Sequence, residues 1–97
     1  MIERIRVTVQ YHNILRARAG NASETLDLPE GITLRELLQH VADTHGPVLR
    51  EVLFSAEGAV SSHLVVFRNR QLLPAVDRDA ELADGDELML FPAIAGG

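Results

Sequence analysis

The sequence contains no cysteine, no lysine and no long apolar run. Without cysteine the protein can form no disulfide bond, thiolate nucleophile or zinc-thiolate site. Without lysine it has no side-chain amine to acylate, although codon bias in a GC-rich genome is a simpler explanation of the same composition. A membrane helix needs about 20 consecutive apolar residues, and no segment of this chain approaches that length. A single domain with no membrane span is therefore expected.

The net charge and the first six residues disfavour two further classes of protein, those that bind nucleic acid and those that are exported. With 14 acidic and nine basic residues, the net charge is −5. An acidic chain lacks the basic face needed to neutralise phosphates, which disfavours nucleic-acid binding. Residues 1–6 carry charges where a signal peptide would need an apolar core. We therefore expect a cytoplasmic protein that binds neither nucleic acid nor membrane.

Hydrophobic patterning predicts five strands. Residues 4–11 alternate strictly between polar and apolar side chains, which is typical of a half-buried strand. Residues 12–20 are expected to form a loop with at most a turn of helix. The other strands are expected at residues 23–28, 64–67, 72–73 and 87–91. The first two strands are expected to pair as an antiparallel hairpin.

One main helix is expected after a capping box. The Thr33 hydroxyl can accept a hydrogen bond from the Glu36 amide, and the Glu36 carboxylate can reach back. Apolar residues recur at helical spacing through residues 34–41. Gly46-Pro47 ends this helix, and residues 47–54 are expected to form a short second helix or a turn. The predicted class is α+β, with a mixed four- to five-stranded sheet packed on one main helix.

The sequence ends on two glycines shortly after the last predicted strand. Pro92 is expected to end that strand, and Ala93-Ile94-Ala95 lead to Gly96-Gly97. Glycine has no Cβ, so such a segment can thread a narrow channel. We expect a folded domain over residues 1–92 and a flexible tail over residues 93–97. No side chain crowds the carboxylate of Gly97.

This order of elements, together with the segment from Asp84 to Gly97, resembles the ubiquitin-like sulfur carriers. They include the molybdopterin synthase small subunit and the thiamine sulfur carrier. The resemblance covers essentially the whole chain and implies a ubiquitin-like β-grasp fold. It also implies that Gly97 is adenylated and converted to a thiocarboxylate, while Gly96 and Ala95 thread the tail into the partner. Ala93 stands where molybdopterin-type members usually have a second proline, and the tail also resembles that of carriers for cysteine synthesis.

The resemblance implies a protein co-substrate rather than an enzyme. It implies no bound cofactor, with ATP and magnesium used by an activating enzyme. The expected partners are a ubiquitin-activating-like adenylating enzyme, a sulfurtransferase or cysteine desulfurase as sulfur donor, and the large molybdopterin synthase subunit or another sulfur-accepting synthase. Molybdopterin synthesis is the expected destination, with cysteine, thiamine or another sulfur-containing metabolite as the alternative. A ubiquitin-like modifier or interaction module is the alternative of another class.

The late strands predict a partner surface. If Leu88 and Leu90 face the helix, the residues between and after them face away from it. An apolar patch on an open sheet face marks a partner surface, although a core that wraps both faces would give the same pattern. The residues assigned to this interface are Met89, Phe91, Pro92 and Phe67, with one of Val65 and Val66. Arg68 and Arg70 either meet an acidic partner there or are solvated.

No metal site is expected. The four histidines, which are His12, His40, His45 and His63, have no evident histidine or carboxylate partners and are expected at the surface. The acids between Asp77 and Asp86 resemble a calcium loop. Leu82 stands where such a loop requires glycine, so a solvated acidic turn is expected instead.

Overall fold

The computed structural model describes residues 3–74 and 77–92. The strands are β1 (Arg4–Tyr11), β2 (Ser23–Pro29), β3 (Leu64–Arg68), β4 (Gln71–Leu73) and β5 (Glu87–Pro92). The helices are α1 (Ile14–Ala19), α2 (Leu34–His45) and α3 (Pro47–Leu53). All five predicted strands and the main helix are present, and no strand end differs from its predicted position by more than one residue.

The five strands form one mixed sheet in the order β2-β1-β5-β3-β4. β1 and β2 form the predicted antiparallel hairpin, whereas β1 and β5 are parallel. β3 pairs antiparallel with both β5 and β4. The last described strand therefore lies at the centre of the sheet, which confirms the α+β class and the mixed sheet.

The core lies between the helices and one face of this sheet. Alternate residues of the central strands are fully buried, as Val9, Val66, Leu88 and Leu90 show. α2 contributes the fully buried side chains of Leu34, Leu37, Leu38, Val41 and Ala42. The remaining helices contribute Leu15, Leu49 and Leu53. Burial of these apolar side chains is the dominant stabilising term.

The predicted capping box begins α2. The Glu36 amide donates to the Thr33 hydroxyl oxygen at 3.2 Å, and the Thr33 amide donates to the Glu36 carboxylate at 3.0 Å. The helix ends at His45, and Gly46 follows with a φ of 86°. Pro47 then opens α3, where its missing N–H costs nothing because the first amides of a helix have no partner.

The prediction for residues 12–20 was wrong in extent. α1 is a six-residue helix that buries Leu15 completely and Ala19 almost completely. It ends at Gly20, whose φ of 78° is left-handed and favours glycine. The short helix therefore exists because of the core contact rather than because of local propensity.

The predicted tail, residues 93–97, lies outside the described residues, so the boundary after Pro92 stays a prediction. In the described part of the chain, no helix is long and apolar enough to cross a membrane.

Candidate partner-binding site

The sheet face opposite the helices carries a group of apolar and aromatic side chains. We call this group the open face and define it as His12, Val65, Phe67, Leu72, Met89 and Phe91. None of these residues belongs to the buried core cluster. The open face spans β5, β3 and β4 and includes His12, which directly follows β1, so it crosses the middle of the sheet and ends at one edge.

Alternation along the strands produces this arrangement. Leu88 and Leu90 are fully buried on the helix side, while Met89 and Phe91 are partly exposed. On β3, Val66 is fully buried and Val65 is partly exposed. The orientation predicted for β5 is therefore confirmed, and Val65 rather than Val66 joins the open face.

The strand register brings the predicted interface residues together. Phe67 lies directly opposite Met89, and Val65 lies opposite Phe91. The rings of Phe67 and Phe91 meet edge to face, with centroids 5.7 Å apart and an interplanar angle of 78°. Such pairs add about 0.5–1.5 kcal/mol beyond the area that they bury. Pro92, also predicted at the interface, is not part of this group: it pairs with the buried Leu64 and, by alternation along β5, lies on the opposite side of the sheet from Phe91, where it is partly exposed.

Two members of the open face were missed from the sequence. Leu72 lies opposite Phe67 and is 61% exposed, which makes it one of the most exposed large apolar side chains described. The signal was present: a two-residue turn at Asn69 and Arg70 places the residues that flank it in register. His12 was expected at the surface, but it stacks on Phe91 with centroids 4.3 Å apart.

The turn between β3 and β4 is anchored by a buried carboxylate. Asp86 is 5% exposed and accepts hydrogen bonds from Arg68 Nε at 2.9 Å, Asn69 Nδ2 at 2.9 Å and the Ala83 amide at 2.8 Å. Burial alone would raise the pKa of Asp86, but these hydrogen bonds and the Arg68 charge hold that pKa below its ordinary value. Arg68 is therefore committed to this anchor rather than to a partner, and Asp86 corrects the prediction of a solvated acidic turn.

A buried arginine supports the end of β3. Arg78 is 8% exposed, and its Nη2 donates to the Leu64 carbonyl oxygen at 2.6 Å. Burial lowers the pKa of this guanidinium. Since Leu64 lies beside Pro92 in the β3–β5 pair, the contact holds the sheet together where the described chain ends. Nothing in the sequence pattern singled out Arg78.

His45 is also not the surface histidine that was predicted. Its side chain is 13% exposed, and its Nε2 lies 3.2 Å from both carboxylate oxygens of Glu24. The Tyr11 hydroxyl donates to the same carboxylate at 3.0 Å. Burial, followed by the Glu24 charge, raises the pKa of Tyr11. The prediction that His45 lacks a carboxylate partner was therefore wrong, whereas His40 and His63 are exposed as expected.

The described residues form no cluster with the geometry of a metal site. No group of three or more histidine, cysteine, aspartate or glutamate side chains converges there. The pairing of His45 with Glu24 supplies two of the groups that a metal would use, and the third neighbour, Tyr11, is a protonated phenol that donates to Glu24. This network is thus built to hold β1, β2 and α2 together.

Comparison with known proteins identifies the family. The profile of the ThiS family matches residues 9–97. The chain belongs to the ThiS family. A curated relative, small archaeal modifier protein 1 of Haloferax volcanii, is 32% identical over 79 residues, which cover 81% of this chain and 86% of that protein.

Solved structures agree with the ThiS family assignment. A crystal structure of SAMP1 from Haloferax volcanii superposes with a TM-score of 0.82 at 27% identity, covering 95% of this chain and 99% of that one. A putative molybdopterin converting factor subunit 1 from Pyrococcus furiosus gives 0.74 at 26% identity, covering 93% and 99%. The Amycolatopsis orientalis BexX/CysO complex gives 0.70 at 29% identity, covering 94% and 99%. The fold is the ubiquitin-like β-grasp that was expected, and the ThiS family comprises small carrier and modifier proteins that are generally non-catalytic.

The residues with a predicted chemical role are at the C-terminal end of the sequence. Gly97, Gly96 and Ala95 lie outside the described residues, so their roles stay predictions. The structure describes instead the strand that precedes them in the chain, and it places Met89 and Phe91 of that strand on the open face.

Proposed function

We propose that the protein is a sulfur carrier whose C-terminal Gly97 is adenylated and then converted to a thiocarboxylate. The observation that carries this proposal is the placement of an apolar open face on the strand that leads directly to the Gly-Gly ending. A carrier needs both a surface that partners recognise and a slender reactive end. The family membership supports this division of labour.

The chemistry requires a partner with ATP. A carboxylate is a poor electrophile, because its charge is delocalised and its leaving group would be oxide. Attack of the Gly97 carboxylate on ATP, in an adenylating enzyme that holds magnesium, gives an acyl-adenylate and pyrophosphate. Hydrosulfide then attacks that carbonyl, AMP leaves, and the thiocarboxylate is formed. If a persulfide of a sulfurtransferase or cysteine desulfurase attacks instead, AMP leaves and an acyl disulfide forms, and a thiol of the donor enzyme must then cleave the S–S bond, becoming oxidised to a disulfide, to release the thiocarboxylate. We place this reaction in the cytoplasm, where ATP is at hand.

The open face is the proposed contact for these partners. Phe91 and Phe67 form a rigid aromatic pair, and Leu72 extends the apolar surface to the sheet edge. Aromatic side chains of this kind dominate the binding energy of protein interfaces. Only Pro92 separates Phe91 from the predicted tail. A partner bound to the open face would therefore lie close to Gly97. Gly96 and Ala95 carry little or no side chain to obstruct its channel.

Molybdopterin synthesis is the proposed destination, with the large synthase subunit as sulfur acceptor. Similarity to the putative Pyrococcus furiosus converting factor subunit supports it. Ala93, in place of a second proline, and similarity to the CysO chain of the Amycolatopsis complex favour cysteine or another sulfur-containing metabolite as the alternative. The relationship to small archaeal modifier protein 1 favours a second candidate function, attachment of Gly97 to lysines of other proteins.

Intact-mass spectrometry tests the carrier function. The protein is incubated with an adenylating enzyme, ATP, magnesium and sulfide. Replacement of one oxygen by sulfur raises its mass by about 16 Da, confined to the C-terminal peptide. Conjugates with lysines of added proteins and no thiocarboxylate would favour the modifier function. No change of either kind would refute activation at Gly97.

A matched pair of variants tests the open face. Leu72→Ser removes an exposed apolar contact, whereas Val48→Ser removes a side chain that is also exposed but lies on α3. The open-face variant should raise the KM of the adenylating enzyme for the carrier severalfold, and the α3 variant should leave it unchanged. Equal effects of the two variants would refute the role of the open face in binding the adenylating enzyme.

A further inference from the structure

β2 forms an unprotected edge of the sheet. Among residues 3–74 and 77–92, it pairs with β1 and with no other strand. Its register runs without a bulge from Ser23, opposite Gln10, to Pro29, opposite Arg4. Natural edge strands are usually blunted by lysine, proline, bulges or very short length. β2 has seven residues and a proline only at its end, so its edge remains regular.

The hydrogen bonds beyond both ends of the hairpin define which groups point outward. The Tyr11 amide donates to the Ala22 carbonyl at 2.8 Å, and the Glu30 amide donates to the Glu3 carbonyl at 2.8 Å. In an antiparallel pair, hydrogen-bonded and non-hydrogen-bonded residue pairs alternate. Both contacts are in register with the ladder, so every second residue of β2 between them belongs to a non-hydrogen-bonded pair.

The residues in those pairs are Ser23, Thr25, Asp27 and Pro29, of which Pro29 has no N–H and accepts a hydrogen bond from the Ile32 amide through its carbonyl. Their N–H and C=O groups therefore point away from β1, toward the open edge. The hydroxyls of Thr8 and Thr25 are 3.3 Å apart, which agrees with the closer approach of non-hydrogen-bonded pairs. Arg4 Nη2 donates to the Asp27 carbonyl at 2.8 Å. Within the described residues, the amides of Ser23, Thr25 and Asp27 and the carbonyls of Ser23 and Thr25 have no hydrogen-bond partner.

A groove adjoins this edge. It has a volume of about 540 Å³ and lies between the end of β2 and α2. The buried side chains of Leu28 and Ile32 give it an apolar floor. An extended segment laid along β2 would project alternate side chains toward this groove.

The charged residues around the groove indicate which kind of segment would bind there. Its carboxylates are Asp27, Glu36 and Asp43, and its one lining arginine is Arg4. Arg4 pairs with Asp27 and Arg50 pairs with Asp43, whereas Glu36 has no cationic partner in the described part of the chain. The excess is negative, as is the whole chain at −5. Complementarity therefore favours a basic segment.

We propose that the β2 edge and its groove form a docking site for an extended basic segment of another protein, which adds a sixth strand to the sheet. The backbone of that segment pairs with the open amides and carbonyls. The aliphatic side chains that alternate toward the groove pack on its floor, and lysines or arginines that flank this aliphatic stretch meet the carboxylates. This is strand addition, in which main-chain hydrogen bonds supply affinity and alternate side chains supply specificity.

The site is separate from the open face. β2 and β4 are opposite edges of the sheet, and no residue of the open face lies on β2. The proposal therefore does not depend on Gly97 chemistry, and the protein can hold one partner on each surface.

Amide NMR titration of the full chain tests the proposal. The probe is a synthetic peptide in which a central run of valines is flanked by lysines, and its matched control has glutamates in place of the lysines. The lysine peptide should shift the amides of Ser23, Thr25 and Asp27 and protect them from exchange. The glutamate peptide should bind at least about tenfold more weakly, a difference of about 1.4 kcal/mol.

A pair of substitutions isolates the edge amide. Thr25→Pro removes an outward N–H, and proline is tolerated where that group faces solvent. Thr25→Val keeps the N–H and is the control. Thr25→Pro should weaken binding about tenfold, since it removes one main-chain hydrogen bond and the proline ring also blocks close approach. If Thr25→Pro unfolds, the native protein titrated with a peptide N-methylated at alternate residues makes the same test.

Four results would overturn the proposal. Peptide shifts that map to the open face would place the binding elsewhere. Equal binding of both peptides would remove the charge argument, and equal binding of the two Thr25 variants would remove strand addition. Shifts of the β2 amides that depend on protein concentration without peptide would make a second copy the occupant.

Discussion

The buried carboxylate of Asp86 provides the sharpest test of how the open face is held. It accepts hydrogen bonds from Arg68, Asn69 and the Ala83 amide. Asn69 also accepts a hydrogen bond from the Glu87 amide at 2.9 Å. These contacts tie the turn between β3 and β4 to the start of β5, and so set the position of the aromatic side chains that follow. We predict that Asp86→Asn destabilises the protein although it changes one atom.

The magnitude follows from the geometry. Asp86 Oδ2 receives the Ala83 amide and Arg68, while Oδ1 receives Asn69. An asparagine offers one oxygen, so its NH2 must face a donor on one of these two sides. The charge that strengthens the Arg68 contact is lost as well. We expect a loss of about 2–3 kcal/mol, which lowers the Tm by about 10–20 °C for a domain of this size.

The pH dependence of that loss has a definite sign. The pKa of Asp86 is held below its ordinary value of 3.8 in the folded state. Its carboxylate therefore contributes stability above the unfolded pKa, and the contribution is lost as the pH falls through the folded pKa. The difference in unfolding free energy between the native protein and Asp86→Asn should be constant near neutrality and shrink below about pH 4.

Chemical denaturation across this pH range measures the difference. Asp84→Asn is the control, because Asp84 is exposed and its Oδ1, which accepts the Arg6 amide at 2.8 Å, is retained in asparagine. The control should lie within about 0.5 kcal/mol of the native protein. If Asp86→Asn is equally mild, or if its deficit does not shrink in acid, the reasoning about the anchor is wrong.

Three further predictions follow from other parts of the molecule. Tyr11 is the one tyrosine of the chain. Because its pKa is raised in the folded state, the free energy of unfolding should fall as the pH rises above 10, where the phenol of the unfolded chain ionises. Tyr11→Phe should flatten that decline, and tyrosinate absorbance should appear only on unfolding. Thr33→Ala should cost about 1 kcal/mol in thermal denaturation by removing the cap of α2, whereas Thr33→Ser should cost less because it keeps the hydroxyl. Deletion of Gly97 should leave the Tm nearly unchanged and abolish adenylation; a truncated protein that still accepts sulfur would place the reactive group elsewhere.

Sequence patterns predicted the features that depend on residues close together in the chain. Strict alternation over residues 4–11 predicted β1 to the residue, and the Thr33–Glu36 capping box predicted the start of α2. Alternation along β5 also predicted the side of the sheet on which Phe91 lies. Each of these features depends on residues that are near neighbours in the chain.

Contacts between distant residues were not predictable in the same way. Asp86 is buried only because Arg68 and Asn69 reach it from another strand pair. His45 is partly buried because α2 ends beside Glu24 of β2. Composition and spacing contain no record of such pairings, and a carboxylate or an imidazole is by default expected at the surface.

The tail is a different case, since its assigned role came from resemblance. Gly96 and Gly97 were recognised as a reactive ending because the whole chain is similar to a family with such endings, and the ThiS family profile extends through residue 97. The open face, by contrast, follows from the strands themselves.

The central position of β5 has a consequence for how the protein is made. β5 joins β1 to β3, and residues from opposite ends of the chain, such as Thr8 and Glu87, are partners. During vectorial synthesis the first hairpin emerges early, but it cannot be linked to the β3–β4 hairpin until the last strand has left the ribosome. Sequence-distant pairing of this kind slows folding. A nascent chain arrested before residue 87 would therefore hold two unconnected halves, and the native sheet would form only once β5 had emerged.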